Sequence, residues 1–258
     1  MSRTDLSTRV AVVSGASAGI GEAVARHLVA SGAPTVLNAR RAARIEQLAS
    51  DLGSDRCAVA AGDAAEQSTV DAMLDTARDR FERDADLVVV NAGRGLNAGV
   101  LGSDDAQWES MIRVNLLGAM RLMRAAAHRM LADIEARGSW EHHPHDIIVL
   151  GSVVGRHVSP FSGAYGTTKF AVHAAVEALR REICGRGVRV TVIEPAVVVS
   201  EFQDVAGYAD AMVDGLYEKF GPLLEPADVA EAIGWVAAQP ARVHIGELLI
   251  RPTRQDYP

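Results

Sequence analysis

The chain contains 258 residues, of which 48% are hydrophobic and 23% charged, and its formal net charge is −7. This length and composition fit one globular α/β domain spanning residues 1–258, and no apolar run approaches the ~18 residues that a membrane span requires. The acidic balance argues against nucleic-acid and anionic-membrane partners, which need a basic face, and two distant cysteines indicate neither a disulfide framework nor a thiolate metal site.

A glycine-rich turn lies between the first predicted strand, residues 10–14, and a helix predicted over 22–30. Its spacing is G-x-x-x-G-x-G. Backbone N–H groups in such a turn can approach a pyrophosphate at the helix N-terminus. A tight turn without a ligand is the alternative. The residues predicted to contact a dinucleotide here are Gly15, Ser17, Ala18, Gly19, Ile20 and Gly21.

The second predicted strand, residues 35–38, ends at Ala39, Arg40 and Arg41, where a dinucleotide fold recognises the ribose, about 20 residues beyond the turn. An acidic residue there would accept a hydrogen bond from the 2′-hydroxyl, whereas arginine suits a 2′-phosphate. The sequence has arginines and no acid, which favours NADP(H). The alternative is that the arginines belong to the solvated first turn of the helix predicted over 42–52.

Alternating strands and helices continue along the chain. A third strand over 57–61 precedes Asp63, and a fourth over 87–90 precedes Asn91, Ala92 and Gly93. A helix is predicted between them. This order predicts an α/β fold, a doubly wound Rossmann sheet of about seven mostly parallel strands with helices on both faces. Ligand residues should then collect at the carboxyl edge of the sheet.

Residues 104–137 are predicted to form one long, possibly interrupted helix, in which Asn115 interrupts an apolar stripe. An asparagine there is more often a satisfied core amide or a kink than a catalytic group. The stretch 140–146 contains three histidines and two acids, but it has no regular ligand spacing. We interpret it as a solvated loop rather than a metal site.

Ser152 directly follows the apolar strand predicted over 147–150, which puts its hydroxyl at the carboxyl edge of the sheet. Tyr165 and Lys169 are four positions apart, so a helix brings them to one face, in line with apolar core positions. A nearby ammonium favours the ionised phenol and should lower its pKa. A Tyr-x-x-x-Lys pair on the surface is the alternative for the spacing alone.

A sixth strand over 188–193 is followed by a stretch, 196–225, predicted to be irregular and to serve as a lid over a pocket. A helix starting at 226 and a strand over 246–250 complete the fold. Aromatic residues in and near the lid suggest an apolar or neutral carbonyl substrate, whereas Arg156 and His157 either bind a carboxylate or belong to a surface loop. The aromatic residues are Phe161, Phe202, Tyr208 and Tyr217.

Together these motifs resemble the short-chain dehydrogenase/reductase family, in the family's order and over nearly the whole chain. The resemblance implies that Tyr165 is the general acid/base, that Ser152 holds the substrate oxygen, and that Lys169 binds the nicotinamide ribose and lowers the pKa of Tyr165. It also implies a proton relay through Asn115 and contact of Asp63 with the adenine. The remaining cofactor contacts are then Asn91, Ala92, Gly93, Pro195, Val198 and Ser200.

Three departures from the family pattern affect the nicotinamide region. Val90 replaces an asparagine before Asn91, Ala196 replaces the usual glycine after Pro195, and Ser200 occupies a position that is often threonine. The expected activity is NADP(H)-dependent hydride transfer between nicotinamide and a carbonyl or alcohol. The end of the chain resembles the branch containing hydroxy-acid and serine dehydrogenases and clavulanate-type aldehyde reductases. A catalytically silent NADPH-binding regulator is the alternative function.

Two helices carry more apolar surface than one sheet can cover, which predicts a homodimer or a tetramer of dimers. Cover from the same chain is the alternative. The polar start of the chain lacks a secretion segment, so we expect a cytoplasmic protein. The residues of the second apolar faces are Leu116, Met120, Met123, Ala127, Met130, Phe170, Ala171, Ala174, Ala175 and Ala178.

Overall fold

Short runs rich in valine and isoleucine form the strands, because β-branched side chains suit a sheet that is buried on both faces. The computed structural model describes residues 5–159 and 162–256, so Phe161 lies outside the described residues. The strands are β1 (Ala11–Ser14), β2 (Thr35–Asn38), β3 (Cys57–Val59), β4 (Leu87–Val90), β5 (His145–Leu150), β6 (Val188–Pro195) and β7 (Glu247–Ile250).

These strands form one sheet in the order β3-β2-β1-β4-β5-β6-β7, and every neighbouring pair is parallel. The order reverses between β1 and β4, which is where a doubly wound sheet opens a crevice at its carboxyl edge. The predicted fold class is therefore confirmed.

Nine α-helices surround the sheet within the described ranges, and the described part of the chain contains no helix with the length and apolar character needed to cross a bilayer. One apolar layer lies under α3, α5 and α6, and the other under α1, α2 and α9. The helices are α1 (Gly19–Ala30), α2 (Ala42–Leu52), α3 (Gln67–Phe81), α4 (Asp105–Ile112), α5 (Ala119–Arg137), α6 (Gly163–Ile183), α7 (Phe202–Ala206), α8 (Asp210–Phe220) and α9 (Pro226–Ala237).

The predicted long helix is interrupted by a π-helical segment, Arg113–Gly118, between α4 and α5. Asn115 lies in this segment and is buried. Single π-helical turns inside helices are rare and often occur at functional sites. Asn115 is therefore a buried amide at a helix interruption, which agrees with the kink that the sequence analysis gave as an alternative to a catalytic role.

The stretch 196–225 is not irregular, as the sequence suggested, because it contains α7 and α8. In α8 the apolar residues Met212, Leu216 and Phe220 recur every four positions and are buried or half-buried, while the acids between them are exposed. This helical period is short and is interrupted by glycine and several charges, which explains why the prediction missed it.

The connection between α5 and β5 is not simply a solvated loop, and that prediction was wrong for its second half. His145 is buried at the start of β5, and its Nε2 lies 2.9 Å from the Asp133 carboxylate on α5. His143 Nε2 lies 2.9 Å from Asp86. The ligand atoms of Asp133, His143 and His145 lie within 4.8 Å of one another, but Arg137 also donates to Asp133. The cluster therefore connects α5 to the sheet through hydrogen bonds.

Four buried charges lie at the amino-terminal edge of the sheet, opposite its carboxyl edge. Arg9 contacts Asp86 at 2.7 Å and Asp146 at 2.8 Å, and Arg189 contacts Asp146 through two bonds of 2.7 Å. Both guanidinium groups also donate to the Ala237 carbonyl at the end of α9. This network joins four strands to α9 and balances two positive charges with two negative ones.

The second apolar face predicted for α5 is largely covered by the same chain, since Met123, Ala127 and Met130 are buried in its core. That part of the assembly argument was wrong, because α3 and the sheet cover more of α5 than the sequence indicated. Exposed apolar side chains remain at Met120 (47%) and Phe170 (40%). Ala174 and Ala178 on α6 are exposed as well.

Candidate active site

Ser152, Tyr165 and Lys169 meet at the carboxyl edge of the sheet. Ser152 follows β5 and is buried, and the inward face of α6 carries both other residues. Lys169 is only 7% exposed, with Nζ 5.7 Å from the centroid of the Tyr165 ring and donating a 2.6 Å hydrogen bond to the Leu150 carbonyl. The sequence predicted that Tyr165 and Lys169 lie on the inward face of a helix rather than on the surface. The structure agrees with this placement.

The electrostatics of Tyr165 differ from the sequence-based expectation. Burial raises the pKa of Tyr165 above its ordinary value, and a hydrogen bond with Ser152 opposes this only in part. Burial also lowers the pKa of Lys169 to about 8. In this structure the effect of burial on the pKa of the phenol outweighs that of the ammonium, whose Nζ donates to the Leu150 carbonyl. The phenol therefore keeps its proton at neutral pH.

His173 lies next to Ser152 and contacts its backbone. The sequence analysis did not identify this residue. The Ser152 N–H donates to His173 Nε2 at 3.3 Å, and the pKa of His173 is lowered by burial. A Cβ at Gly151 would come within 2.2 Å of that nitrogen, so the imidazole needs a glycine beside it. His173 follows Lys169 by one helical turn, and this spacing is the signal that could have identified it.

Asn115 joins the loop after β4 to α6. Its side chain accepts from the Arg94 N–H at 2.9 Å and donates to the Arg94 carbonyl at 2.9 Å and to Thr168 Oγ1 at 3.1 Å. The amide thus fixes the loop next to Gly93, where an added Cβ would lie 3.2 Å from Asn115 Oδ1. Thr168 is a further residue that sequence analysis missed.

The glycine-rich turn has the backbone that close approach to a ligand requires. Gly15 and Gly19 have φ of +71° and +54°, and a Cβ at Gly21 would lie 2.2 Å from the Gly15 carbonyl. Asn91 Nδ2 donates to the Ser14 and Gly15 carbonyls at 3.0 and 3.2 Å, and the Ala92 N–H donates to Ser14 Oγ.

No side chain caps the N-terminus of α1, where Ala18 precedes Gly19 and Ile20. The first N–H groups of a helix without such a cap are available to an anion. The residues present at this turn therefore fit a dinucleotide whose pyrophosphate lies at the start of α1.

The two arginines after β2 are not equivalent. Arg41 donates to Ser17 Oγ through two bonds of 2.9 and 3.0 Å and to Glu201 at 2.8 Å. Arg40 is exposed. Arg44, which the sequence analysis did not single out, also contacts Glu201, at 2.5 Å. It follows Arg41 by three positions at the start of α2, a spacing that places both guanidinium groups on one side.

Asp63 lies after β3 at the same edge. Its carboxylate accepts from the Ala65 N–H at 3.0 Å and from Arg113 at 3.1 Å. The first bond fixes the turn into α3, and the second joins that turn to the π-helical segment. The adenine contact that the resemblance implies for Asp63 stays a prediction.

The segment after β6 covers the site from one side. The Phe202 ring lies 5.5 Å from the Tyr165 ring, and a Cβ at Gly95 would lie 2.4 Å from Phe202. Pro195 ends β6, and the buried Val198 forms a bridge with Leu224. A pocket of about 300 Å³ lies beside α7 and α8, and valines and leucines form part of its lining. Its other lining residues are Ser200, Gln203, Tyr217, Asp204, Asp210 and Asp214.

Arg156 is not a free cation for a substrate carboxylate in this structure. It donates to the fully buried Glu194 at 2.8 Å and also contacts Glu247. Its two carboxylate partners raise the pKa of the guanidinium. His157 is exposed, in line with the surface-loop interpretation.

Comparisons with known proteins agree with this geometry. A family model described as short chain dehydrogenase matches residues 9–209. An uncharacterised oxidoreductase of Staphylococcus epidermidis is 32% identical over 244 residues, which cover 95% of this chain and 97% of the relative.

Two solved structures resemble the whole chain. An alcohol dehydrogenase from the archaeon Thermococcus sibiricus, complexed with 5-hydroxy-NADP, has a TM-score of 0.80 at 29% identity and covers 97% of this chain and 99% of its own. A serine dehydrogenase in its closed form, complexed with NADP+, has a TM-score of 0.82 at 30% identity and covers 96% of each chain. The family match, the relatives and the serine, tyrosine and lysine at one sheet edge lead to one conclusion: this chain is an oxidoreductase of the short-chain dehydrogenase family.

Proposed function

We propose that the protein is an NADP(H)-dependent oxidoreductase that transfers a hydride between nicotinamide and a carbonyl group or the corresponding primary or secondary alcohol. The observation that carries the proposal is the partly buried Tyr165, which hydrogen-bonds with Ser152 and has Lys169 one helical turn away. The bound cofactor supplies the hydride. The protein then has to hold the carbonyl and exchange one proton.

The side chains at the sheet edge suit these two tasks. Ser152 and Tyr165 donate hydrogen bonds to the substrate oxygen, which stabilises the negative charge that develops on it. Tyr165 gives its proton to that oxygen during reduction and takes it back during oxidation. Lys169 holds the ribose, and Asn115 positions the Gly93 loop and takes part in a relay through water.

Residues at the carboxyl edge of the sheet are also proposed to contact the dinucleotide. The start of α1 would hold the pyrophosphate through Gly15, Ser17, Ala18, Gly19, Ile20 and Gly21. The adenosine and the adjacent ribose would contact Asp63, Asn91, Ala92 and Gly93. The nicotinamide would contact Pro195, Val198 and Ser200, and the adenosine ribose would contact Arg40 and Arg41.

Support for NADP(H) over NAD(H) comes from Arg41. Its guanidinium contacts Ser17 of the glycine-rich turn, and the residue directly after β2 is Ala39 rather than an acid. Both solved structures described above contain NADP or an NADP derivative. Arg41, which already contacts the glycine-rich turn, is the residue that should discriminate between the two cofactors.

The segment 196–225 is proposed to act as a lid over a small, neutral carbonyl or alcohol. Phe202 against Tyr165 supplies an apolar wall, and burial raises the pKa of Tyr208, so this phenol is uncharged as well. The three aspartates beside the neighbouring pocket disfavour a polyanionic substrate.

The proposed assembly is a homodimer, or a tetramer of dimers, through α5 and α6. Support comes from Phe170, Ala174 and Ala178, which form an exposed line of apolar side chains along α6, and from Met120 on α5. Small alanines allow two such helices to approach closely across a two-fold axis.

The decisive experiment combines a substrate screen with Tyr165→Phe. Wild-type protein is assayed with aldehydes, ketones and 3-hydroxy acids by NADPH absorbance, and the variant is then assayed with the best substrate. We expect the variant to lose about 10²–10⁴-fold in kcat, the range for a general acid, while NADPH binding measured by fluorescence is unchanged. Near-wild-type turnover by Tyr165→Phe would contradict the assignment.

A catalytically silent NADPH-binding regulator is the second candidate. Retention of Ser152, Tyr165 and Lys169 together at the carboxyl edge of the sheet argues against it. NADPH binding with no turnover across the screen would support it.

A further inference from the structure

Glu201 links the proposed lid to the start of α2, where the arginines proposed to bind the cofactor lie. It lies directly before α7 in the proposed lid, yet its carboxylate contacts Arg41 Nη1 at 2.8 Å and Arg44 Nη1 at 2.5 Å, at the start of α2. Each carboxylate oxygen has its own guanidinium. The hydrogen bonds from Arg44 and Arg41 lower the pKa of Glu201, so this side chain is an anion at neutral pH.

The position of this anion coincides with the site expected for a phosphate. Arg41 contacts Ser17 of the glycine-rich turn with the same guanidinium that contacts Glu201. A ribose 2′-phosphate at the end of β2 would need that guanidinium as its main partner. The carboxylate and the phosphate are therefore alternative ligands of one arginine pair.

We infer that Glu201 is a built-in competitor for the cofactor's 2′-phosphate and thereby a residue that sets cofactor specificity, an inference that rests on the proposed NADP(H) dependence. In the cofactor-free enzyme the carboxylate pairs with both Arg41 and Arg44. Binding of NADP(H) replaces it on the arginines, whereas NAD(H), which has a hydroxyl at that position, leaves it in place.

Exposure makes this exchange feasible. The side chains of Arg41, Arg44 and Glu201 are 44%, 54% and 45% exposed. Ion pairs at such sites are weak and screened by salt, so a phosphate with two negative charges can displace a single carboxylate. A buried pair, such as Arg9 with Asp146, could not be exchanged in this way.

The inference also connects the cofactor to the lid. Glu201 precedes Phe202, whose ring packs against Tyr165. A phosphate that displaces the carboxylate therefore breaks the ion pairs that connect the start of α7 to α2. NAD(H) leaves these ion pairs intact, so the lid should be more mobile with NADP(H) bound than with NAD(H) bound.

The test compares Glu201→Gln with wild-type protein and with Glu46→Gln, a matched control on the exposed face of α2. Dissociation constants are measured by calorimetry for NADPH, NADH, adenosine 2′,5′-bisphosphate and 5′-AMP. The two adenosine nucleotides differ by the 2′-phosphate and report on this contact without turnover. Melting temperatures confirm that both variants are folded.

We expect Glu201→Gln to bind NADPH and adenosine 2′,5′-bisphosphate about fivefold more tightly, the scale of one or two exposed ion pairs, with no change for NADH or 5′-AMP. Glu46→Gln should change each of the four dissociation constants by less than this. The difference between Glu201→Gln and wild type should shrink at high salt.

Two results would overturn the inference, and they are distinguishable. If wild-type protein binds the 2′-phosphate ligands more tightly than their counterparts, but Glu201→Gln binds them equally well or more weakly, then Glu201 orients the arginines rather than competing, and the proposed function stands. If wild-type protein does not prefer the 2′-phosphate ligands, the NADP(H) proposal fails and the inference fails with it.

Discussion

The buried charge network at the amino-terminal edge of the sheet gives a prediction for stability alone. The substitution Asp146→Asn keeps the size of the side chain but removes one of two negative charges that balance Arg9 and Arg189. Asp86 remains as the only carboxylate of the network, so one of the two buried guanidinium groups loses its counter-charge.

The expected loss follows from burial. Removing one partner of a buried ion pair costs about 3–5 kcal/mol, and the amide oxygen can still accept one hydrogen bond, so we expect about 3 kcal/mol. A domain of this size is stable by only about 5–15 kcal/mol. With about 2–4 °C per kcal/mol, the melting temperature should fall by about 6–12 °C.

Urea and thermal unfolding of Asp146→Asn would be measured beside Glu22→Gln, which removes a carboxylate from an exposed pair with Arg26. The control should lose no more than about 0.5 kcal/mol. The folded Asp146→Asn variant should keep its catalytic rate at low temperature, because the network lies at the edge opposite to Ser152. A loss no larger than that of the control would refute the reasoning.

Three further predictions concern the site, the histidines and the assembly. Lys169→Ala should weaken NADP(H) binding and alter the pH–rate profile; an unchanged profile would exclude a role for the ammonium near the phenol. Burial lowers the pKa of His145, so its contribution to folding is present above pH 6.5, the unfolded value, and is lost as pH falls through the folded pKa. The urea concentration at the unfolding midpoint should therefore decrease as the pH falls from about 7.5 to about 5.5. This decrease should be smaller in His145→Gln than in the wild type. Ala174→Arg should convert a dimer into monomers in sedimentation at micromolar concentration; a monomeric wild type would contradict the proposed assembly.

The sheet could be predicted from the sequence because each buried strand is a short apolar run with small or polar residues after it. Residues 35–38 and 87–90 were predicted with the bounds that the structure has. Ser152, Tyr165 and Lys169 could be identified because chain order and helical spacing already bring them to one edge. These signals are local, and a single sequence contains them.

Contacts between distant parts of the chain could not be predicted in this way. Glu201 meets Arg44 across 157 positions, and no local pattern connects a lid acid with the first turn of α2. The raised pKa of Tyr165 was missed for a related reason, since the spacing to Lys169 is visible in the sequence but the depth of burial is not. Helix α8 was missed because charged residues and a glycine obscure its apolar period.

The strand order has a consequence for how the chain folds. Residues Ala11 to Val13 of β1, in the middle of the sheet, pair on one side with β2, which follows closely, and on the other side with β4, starting at Leu87. Until β4 has been synthesised, one edge of β1 has no partner strand, and such an edge can recruit other chains. Pairing across so many residues is slow, because the entropy of closing a long loop must be overcome first. Conditions that slow synthesis or crowd nascent chains should therefore favour aggregation before Asn91 joins the glycine-rich turn.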